Sequence, residues 1–301
     1  MNLCLVDDDP VSLEALTLAS RLGDVEAIVF GDVEVDGYVA HARRVVHDRL
    51  DEYAPEAWAQ AIVELAPEVV VAPGTDRGHE VLAHVAARLE VPLAANVVEA
   101  EADGDALRLT RQRWGGSLLE EARLTGTPKL LTVAAHAIVA QPAGVTTTTE
   151  EFTPTLADEH LVVRVTRREE PSSGAVRLDT ARVVVGGGRG VGSTEGFELL
   201  EELADLLGGA VGGSRVVTNL GWRPHSDQVG QTGARIAPDL YIACGISGAI
   251  QHIVGCRAAK RILVINKDPS APIVARADWA VVGDLHEIVP AIVAELRKEG
   301  V

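Results

Sequence analysis

The chain has 301 residues, 47% apolar and only 3% aromatic, so its core is built from Val, Ala and Leu and suffices for one large domain or two ordinary ones. Its 44 acidic residues against 27 basic ones leave a net charge of −17. That balance excludes a nucleic-acid role, because phosphate binding needs a concentrated basic surface.

Only four basic residues are lysines (Lys129, Lys260, Lys267, Lys298), and so few on an acidic surface point to a salt-adapted source. No apolar run approaches the ~20 residues that span a bilayer, and MNLCLVDDDP lacks the basic and apolar stretches of a signal peptide. Cys4, Cys244 and Cys256 form no CxxC pair, so neither a disulfide framework nor structural zinc is indicated. A soluble, cytoplasmic protein is expected.

From the N-terminus, Leu3–Val6 reads as a strand, Pro10–Leu22 as a helix and Val25–Phe30 as a second strand. A polar helix is expected near His41–Asp51, a further helix at Ala57–Leu65 and a buried strand at Glu68–Ala72. Beyond Pro73 and Gly74, Asp76–Leu89 carries Val81, Leu82, Val85, Ala86 and Leu89 on one helical face. Such alternation implies a parallel sheet with right-handed crossovers. Ala106–Arg113 alternates, Trp114-Gly115-Gly116 signals a turn, and Leu118–Leu124 reads as the returning strand. Lys129–His136 and Leu161–Val165 are further strand candidates. Residues 167–175 (RREEPSSGA) are polar and breaker-rich, which suits an interdomain segment. From Arg182 the rhythm restarts: a strand at Arg182–Val185, glycines to Gly192, and a helix over Glu195–Leu207. Strands follow at Leu240–Ala243, Ile262–Ile265 and Trp279–Val282, then a helix at His286–Lys298. The expected fold is α/β in two domains: residues 1–176 around a mixed or parallel sheet, and residues 177–301 around a parallel, nucleotide-binding-like sheet.

Chemistry-bearing motifs concentrate in the second domain. Val185–Thr194 (VGGGRGVGST) is a strand running into glycines and then a helix, as in phosphate-binding loops, yet no window fits G-x-G-x-x-G or G-K-[ST]. A phosphate cradle and a tight structural turn both remain open there. Gly245–His252 (GISGAIQH) follows the buried run LYIAC; Ser247 suits a helix N-cap beside amides that can hold a pyrophosphate. Gly230–Gly233 (GQTG) offers the Gln231 amide and the Thr232 hydroxyl. Ile265–Ile273 (INKDPSAPI) and Val281–Leu285 (VVGDL) close two more strands with polar residues, at the edge where open α/β sheets bind ligands.

Together these motifs resemble the electron transfer flavoprotein α subunit, or FixB, family. The similarity runs through PDLYIACGISGAIQH (Pro238–His252), INKDPSAPI and VGDL (Val282–Leu285), with GGRG (Gly187–Gly190), GGSR (Gly212–Arg215) and QVGQTG (Gln228–Gly233) in the same order upstream. It is dense over residues 182–301 and looser before, mainly in Thr75–Leu89. The resemblance implies FAD in the second domain, its ring at an interface with a β subunit. It implies Arg215 beside the ring, the Thr232 hydroxyl on flavin N5, and His252 near the O2 edge, offsetting charge on the reduced ring. Ser214, Gln231, Ser247 and Gln251 would contact ring, ribityl or pyrophosphate; Asn266 and Asp284 the adenosine half, with Leu285 beside it. Val229, Gly230, Gly248, Ala249 and Ile250 complete the implied contacts, and Arg189 reaches toward cofactor or partner. Asn219 departs from the family's usual acidic residue, and Trp222 stands where the aromatic varies.

The resemblance implies an electron carrier, paired with a β subunit, that takes electrons from dehydrogenases such as acyl-CoA dehydrogenases to a membrane quinone reductase, without inserting in the membrane. The absence of an acid–base or nucleophile constellation agrees. The other eight histidines lack metal spacing such as HExxH and read as surface or packing residues. Alternatives are an electron-bifurcating subunit, a nicotinamide-dependent dehydrogenase or synthase of similar fold, and a nucleotide-sensing module.

Overall fold

The computed structural model describes residues 1–166 and 176–299, so the breaker-rich segment 167–175 and the last two residues lie outside the described residues. The chain divides into two compact units, Met1–Glu169 and Glu170–Val301.

In the first unit the elements are β1 (Asn2–Val6), α1 (Val11–Arg21), β2 (Val25–Val29), β3 (His41–Val45), α2 (Pro55–Glu64), β4 (Val69–Gly74) and α3 (Asp76–Leu89). Then come β5 (Leu93–Asp103), β6 (Ala106–Arg113), β7 (Leu118–Leu124), β8 (Lys129–Ala134) and β9 (Thr148–Phe152). They form one nine-stranded sheet, ordered β7-β6-β5-β8-β4-β1-β2-β3-β9. It is parallel from β5 through β9 and antiparallel across β5, β6 and β7. Strand β1 shows why its sequence is apolar throughout. Cys4 and Val6 pack with Leu16 and Ala19 of α1 on one face, and Leu3 and Leu5 with Ile62 of α2 and Leu82 of α3 on the other.

Two expectations for this unit are corrected. His41–Asp51 begins with strand β3, not a polar helix. Helical propensity loses to cross-strand pairing: Ala42 is buried in the sheet, Arg43 pairs with Glu26 on β2, and Arg44 with Asp32. Leu161–Val165 is not a strand. It leaves a 3₁₀ turn over Asp158–Leu161 with Leu161 packed on Ala54 and Ala57, while Val162 and Val163 are exposed. The sheet edge beside β3 is held by β9, a mostly polar strand (TTEEF) whose single apolar residue is Phe152.

The second unit contains β10 (Val183–Gly187), α4 (Glu198–Leu206), β11 (Ala210–Gly213), α5 (Arg215–Asn219), β12 (Leu240–Cys244), α6 (Ile250–Cys256), β13 (Ile262–Asn266), β14 (Trp279–Val282) and α7 (Leu285–Glu299). Its five strands are all parallel, in the order β11-β10-β12-β13-β14. Val185, Ile242 and Ile265 face Leu200 and Leu203 of α4 and Val289 and Val293 of α7. Val184, Tyr241, Ala243 and Val264 face Cys256 of α6 and Val229 and Ile236 of the segment before β12. The chain steps from β10 outward to β11, then returns past β10 to β12. That reversal marks the switch point, beyond the carboxyl ends of β10 and β12, where open α/β sheets form their ligand crevice. No helix among the described residues is long and apolar enough to cross a membrane.

Candidate cofactor site

Four amides of the glycine run after β10 serve its own fold. Gly188 N–H donates to Cys244 O (2.9 Å), Gly190 N–H to Gly245 O (3.1 Å), and Val191 and Gly192 close turns onto Gly188 and Arg189. A Cβ on Gly188 would lie 2.3 Å from the Gly245 carbonyl oxygen, and one on Gly190 2.7 Å from Gly245 Cα. These glycines therefore let the β10 and β12 loops run in contact, as a structural turn requires. Arg189 is exposed at its tip.

The loop after β12 is different. Among the described residues, the backbone N–H groups of Ser247, Gly248, Ala249, Ile250 and Gln251 have no partner. The loop's carbonyls are pinned instead: Asn266 Nδ2 donates to Ile246 O (2.8 Å) and Ile273 N–H to Ser247 O (3.2 Å). Helix α6 begins at Ile250 with Ala249 as its N-cap, so Ser247 is not the cap expected from the sequence. Gly248, at φ +84°, lies hard against Ile273 and holds Ser247 in the loop. Ser247, Ala249 and Gln251 are exposed, and Ile250 is 72% exposed.

Two further loops border the same crevice. Ser214 follows β11, its N–H on Gly187 O (2.9 Å), and as N-cap of α5 its hydroxyl makes no capping bond. Arg215 projects from the first position of α5, exposed and, among the described residues, without an ion-pair partner. Three other arginines of the unit are paired: Arg182 with Asp239, Arg223 with Glu201 and Asp227, Arg261 with Asp278. In the QTG loop, Val229 and Gly230 are buried and Gln231 N–H donates to Gln251 O (2.8 Å), which ties the loop to α6. Thr232 is exposed, and its Oγ1 accepts from Gln228 Nε2 (3.0 Å).

The β13 and β14 ends are self-contained. Asn266 is committed to Ile246 and, through Oδ1, to Asp268 N–H (3.0 Å). Lys267 pairs with Asp284 at 2.8 Å, and with the His286 N–H holds that carboxyl below the usual range. Leu285 is buried beneath the crevice against Gly245.

His252 is 6% exposed and packs under the loop, its Nε2 sharing a 2.8 Å hydrogen bond with the Tyr241 hydroxyl. Nδ1 has no partner in hydrogen-bonding geometry, although the Val229 backbone favours the charged ring. Burial dominates and lowers the pKa from 6.5 to about 4, so the chain holds this ring neutral near pH 7. The resemblance gives His252 the offsetting of charge on a reduced flavin; before any such charge is present, the buried ring is neutral. The same burial pushes Cys244 and Cys256 up to about 12, so neither thiol ionises near pH 7. Tyr241 and Gln228 went unmarked in the sequence reading. A tyrosine within a buried strand signals a hidden partner for its hydroxyl, and here that partner comes from the helix covering the strand.

The titration of His252 has a consequence for stability. Unfolded, it takes up a proton near pH 6.5; folded, it resists until about pH 4, so stability rises with pH across that window and is complete above it. Relative to His252→Asn, the wild-type chain should lose roughly 3 kcal/mol between pH 7.5 and pH 4. Parallel denaturant-unfolding curves for the two proteins across that range would contradict the burial.

The fit to a flavin nucleotide rests on three observations: the unpartnered amides after β12, the exposed Thr232 and Arg215 beside them, and the orphaned Nδ1 below. Comparison with known proteins agrees. Residues 177–257 match the electron transfer flavoprotein FAD-binding domain, and residues 7–157 the electron transfer flavoprotein domain. The chain is 34% identical over 308 residues to the electron transfer flavoprotein subunit alpha of Thermoanaerobacterium thermosaccharolyticum, covering 96% of this chain and 93% of that protein. It is 37% identical to the protein FixB of Clostridium saccharobutylicum (96% and 87% covered). To the electron transfer flavoprotein subunit alpha of Mycobacterium tuberculosis it is 38% identical (95% and 93% covered).

Proposed function

Since the chain belongs to the electron transfer flavoprotein α-subunit family, we propose that the crevice beyond β10 and β12 holds its FAD and that a β subunit completes the site. The protein is an electron transfer flavoprotein subunit that binds FAD. The bound flavin supplies the redox chemistry, taking up and releasing electrons; the chain's residues hold it and set the surrounding charge.

The Ser247–Gln251 amides and the Ser214 hydroxyl present donors suited to a pyrophosphate and ribityl chain. Arg215 gives a permanent cation for the ring, Thr232 a hydroxyl for N5, and neutral His252 a hydrogen-bonding group below the ring edge. Asn266 acts through the β12 loop that it pins, while Asp284 and Leu285 form the floor toward the adenosine half. The observation that carries this reading is the row of unpartnered amides beside exposed Arg215, Thr232 and Ile250. A site so open on one side fits a second wall supplied by a β subunit, with the first unit as a further docking surface. We read the chain as a cytoplasmic electron carrier without substrate chemistry of its own, receiving electrons from flavin dehydrogenases and delivering them to a membrane quinone reductase.

Co-expression with a β-type subunit tests this. The expected product is a yellow heterodimer whose FAD is lost from Ser247→Pro, which removes one free amide and stiffens the loop. A colourless complex that turns over a nicotinamide-linked substrate would overturn the reading, and a second, NADH-reducible flavin would make the protein bifurcating.

A further inference from the structure

Gln228 lies outside the cofactor contacts inferred above, yet it is 5% exposed and hydrogen-bonded at both ends of its side chain. Thr218 Oγ1 donates to its Oε1 at 2.9 Å, and its Nε2 donates to Thr232 Oγ1 at 3.0 Å. Its backbone is locked as well: its N–H donates to His225 O (3.1 Å) and its carbonyl accepts from Ala234 N–H (2.7 Å).

The direction of this chain matters because a hydroxyl carries one proton. Thr218 has a second acceptor within reach, Arg215 O at 3.1 Å; the shorter contact is the one to Gln228, with the amide oxygen toward Thr218. The amide nitrogen then faces Thr232. Thr232 Oγ1 is occupied as an acceptor, so its proton points away from Gln228, toward the exposed side of the loop. Reversing the amide would draw that proton inward and leave Thr232 only lone pairs to offer outward.

We propose that Gln228 is a positioning residue whose amide, oriented by Thr218, fixes Thr232 as a hydrogen-bond donor toward the ring nitrogen of the flavin. This rests on the reading that Thr232 faces flavin N5. An oxidised N5 is an acceptor, so a donor of fixed direction is what it needs, and a buried amide makes that direction a property of the fold.

The test is ¹⁵N NMR of the heterodimer loaded with FAD labelled at N5, whose resonance moves upfield when N5 accepts a hydrogen bond. Thr232→Val should abolish that displacement; an unmoved resonance would defeat the Thr232 reading and this proposal with it. Gln228→Glu offers a carboxylate that accepts from both threonines, so at high pH the displacement should vanish as fully as in Thr232→Val. It should return as the pH falls and the buried carboxyl protonates, since one oxygen then donates as the amide did. Gln228→Met accepts poorly and should keep most of the displacement. A Gln228→Glu protein with a wild-type, pH-independent N5 resonance overturns the proposal, and so does a Met variant that loses the displacement as fully as Glu, because loss without an acceptor means packing, not polarity. If Gln228→Glu fails to fold or to hold FAD, Thr218→Val releases the amide without adding charge. It should shrink the displacement, and an unchanged resonance there also overturns the proposal.

Discussion

In the flavin-loaded heterodimer, Arg215→Ala is expected to lower the first reduction potential by about 100 mV. A cation about 4 Å from an added electron interacts by roughly 4 kcal/mol at an effective dielectric near 20. Arg215 is exposed in the chain and so partly screened, which leaves roughly half of that, about 2.3 kcal/mol; at 59 mV per tenfold change for one electron this is the shift stated. Two features make the charge dependable. A guanidinium stays protonated at any working pH, and among the described residues no carboxylate pairs with this one. Arg215→Lys keeps the charge and should recover most of the potential. Arg182→Ala removes an arginine of the same unit that is neutralised by Asp239 and should change nothing. A spectroelectrochemical titration in which Arg215→Ala matches wild type would end this role.

How much of this was legible beforehand depended on whether a signal was local. Strand β1, helix α3 and the hairpin of β6 and β7 were plain, because each carries its periodicity within its own residues. Strands β3 and β9 were not. Each is polar and gains its identity from neighbours distant in sequence, such as Glu150 of β9 opposite Arg43 of β3. The motifs in GISGAIQH and QTG do converge on one crevice, but their internal arrangement was hidden. Helix α6 starts after Ala249 because Gly248 is held by Ile273, which is 25 positions away. The neutral state of His252 depends on its being covered, which is not visible from a histidine at a helix start. The glycines after β10 left two readings open, because composition alone does not say what an amide or a missing Cβ serves. Their composition suits anion binding, yet their amides and missing Cβ atoms serve contact between two loops.

The tight seat of Gly248 leads to the other large effect. Gly248→Ala should reduce FAD affinity about 100-fold or more, from a cost of roughly 3 kcal/mol in the loop. Two penalties act together. The residue sits at φ +84°, which an L side chain adopts at a cost of about 1 kcal/mol or more. A Cβ there would also lie 2.5 Å from both the nitrogen and the Cβ of Ile273. Backbone atoms cannot rotate aside, and Ile273 is fully buried, so the strain is relieved by moving the loop that carries the free amides. Gly192→Ala separates the two penalties: its φ is +91°, but a Cβ would meet nothing within 4 Å, so it should cost about 1 kcal/mol and leave FAD binding intact. Flavin-to-protein ratios after gel filtration, followed by titration of the deflavinated heterodimer with FAD, measure both. Full flavin content and wild-type affinity in Gly248→Ala would mean that the amides after β12 do not hold the cofactor. Loss of flavin in Gly192→Ala would mean that the glycine run after β10, despite the four amides it spends internally, holds it instead.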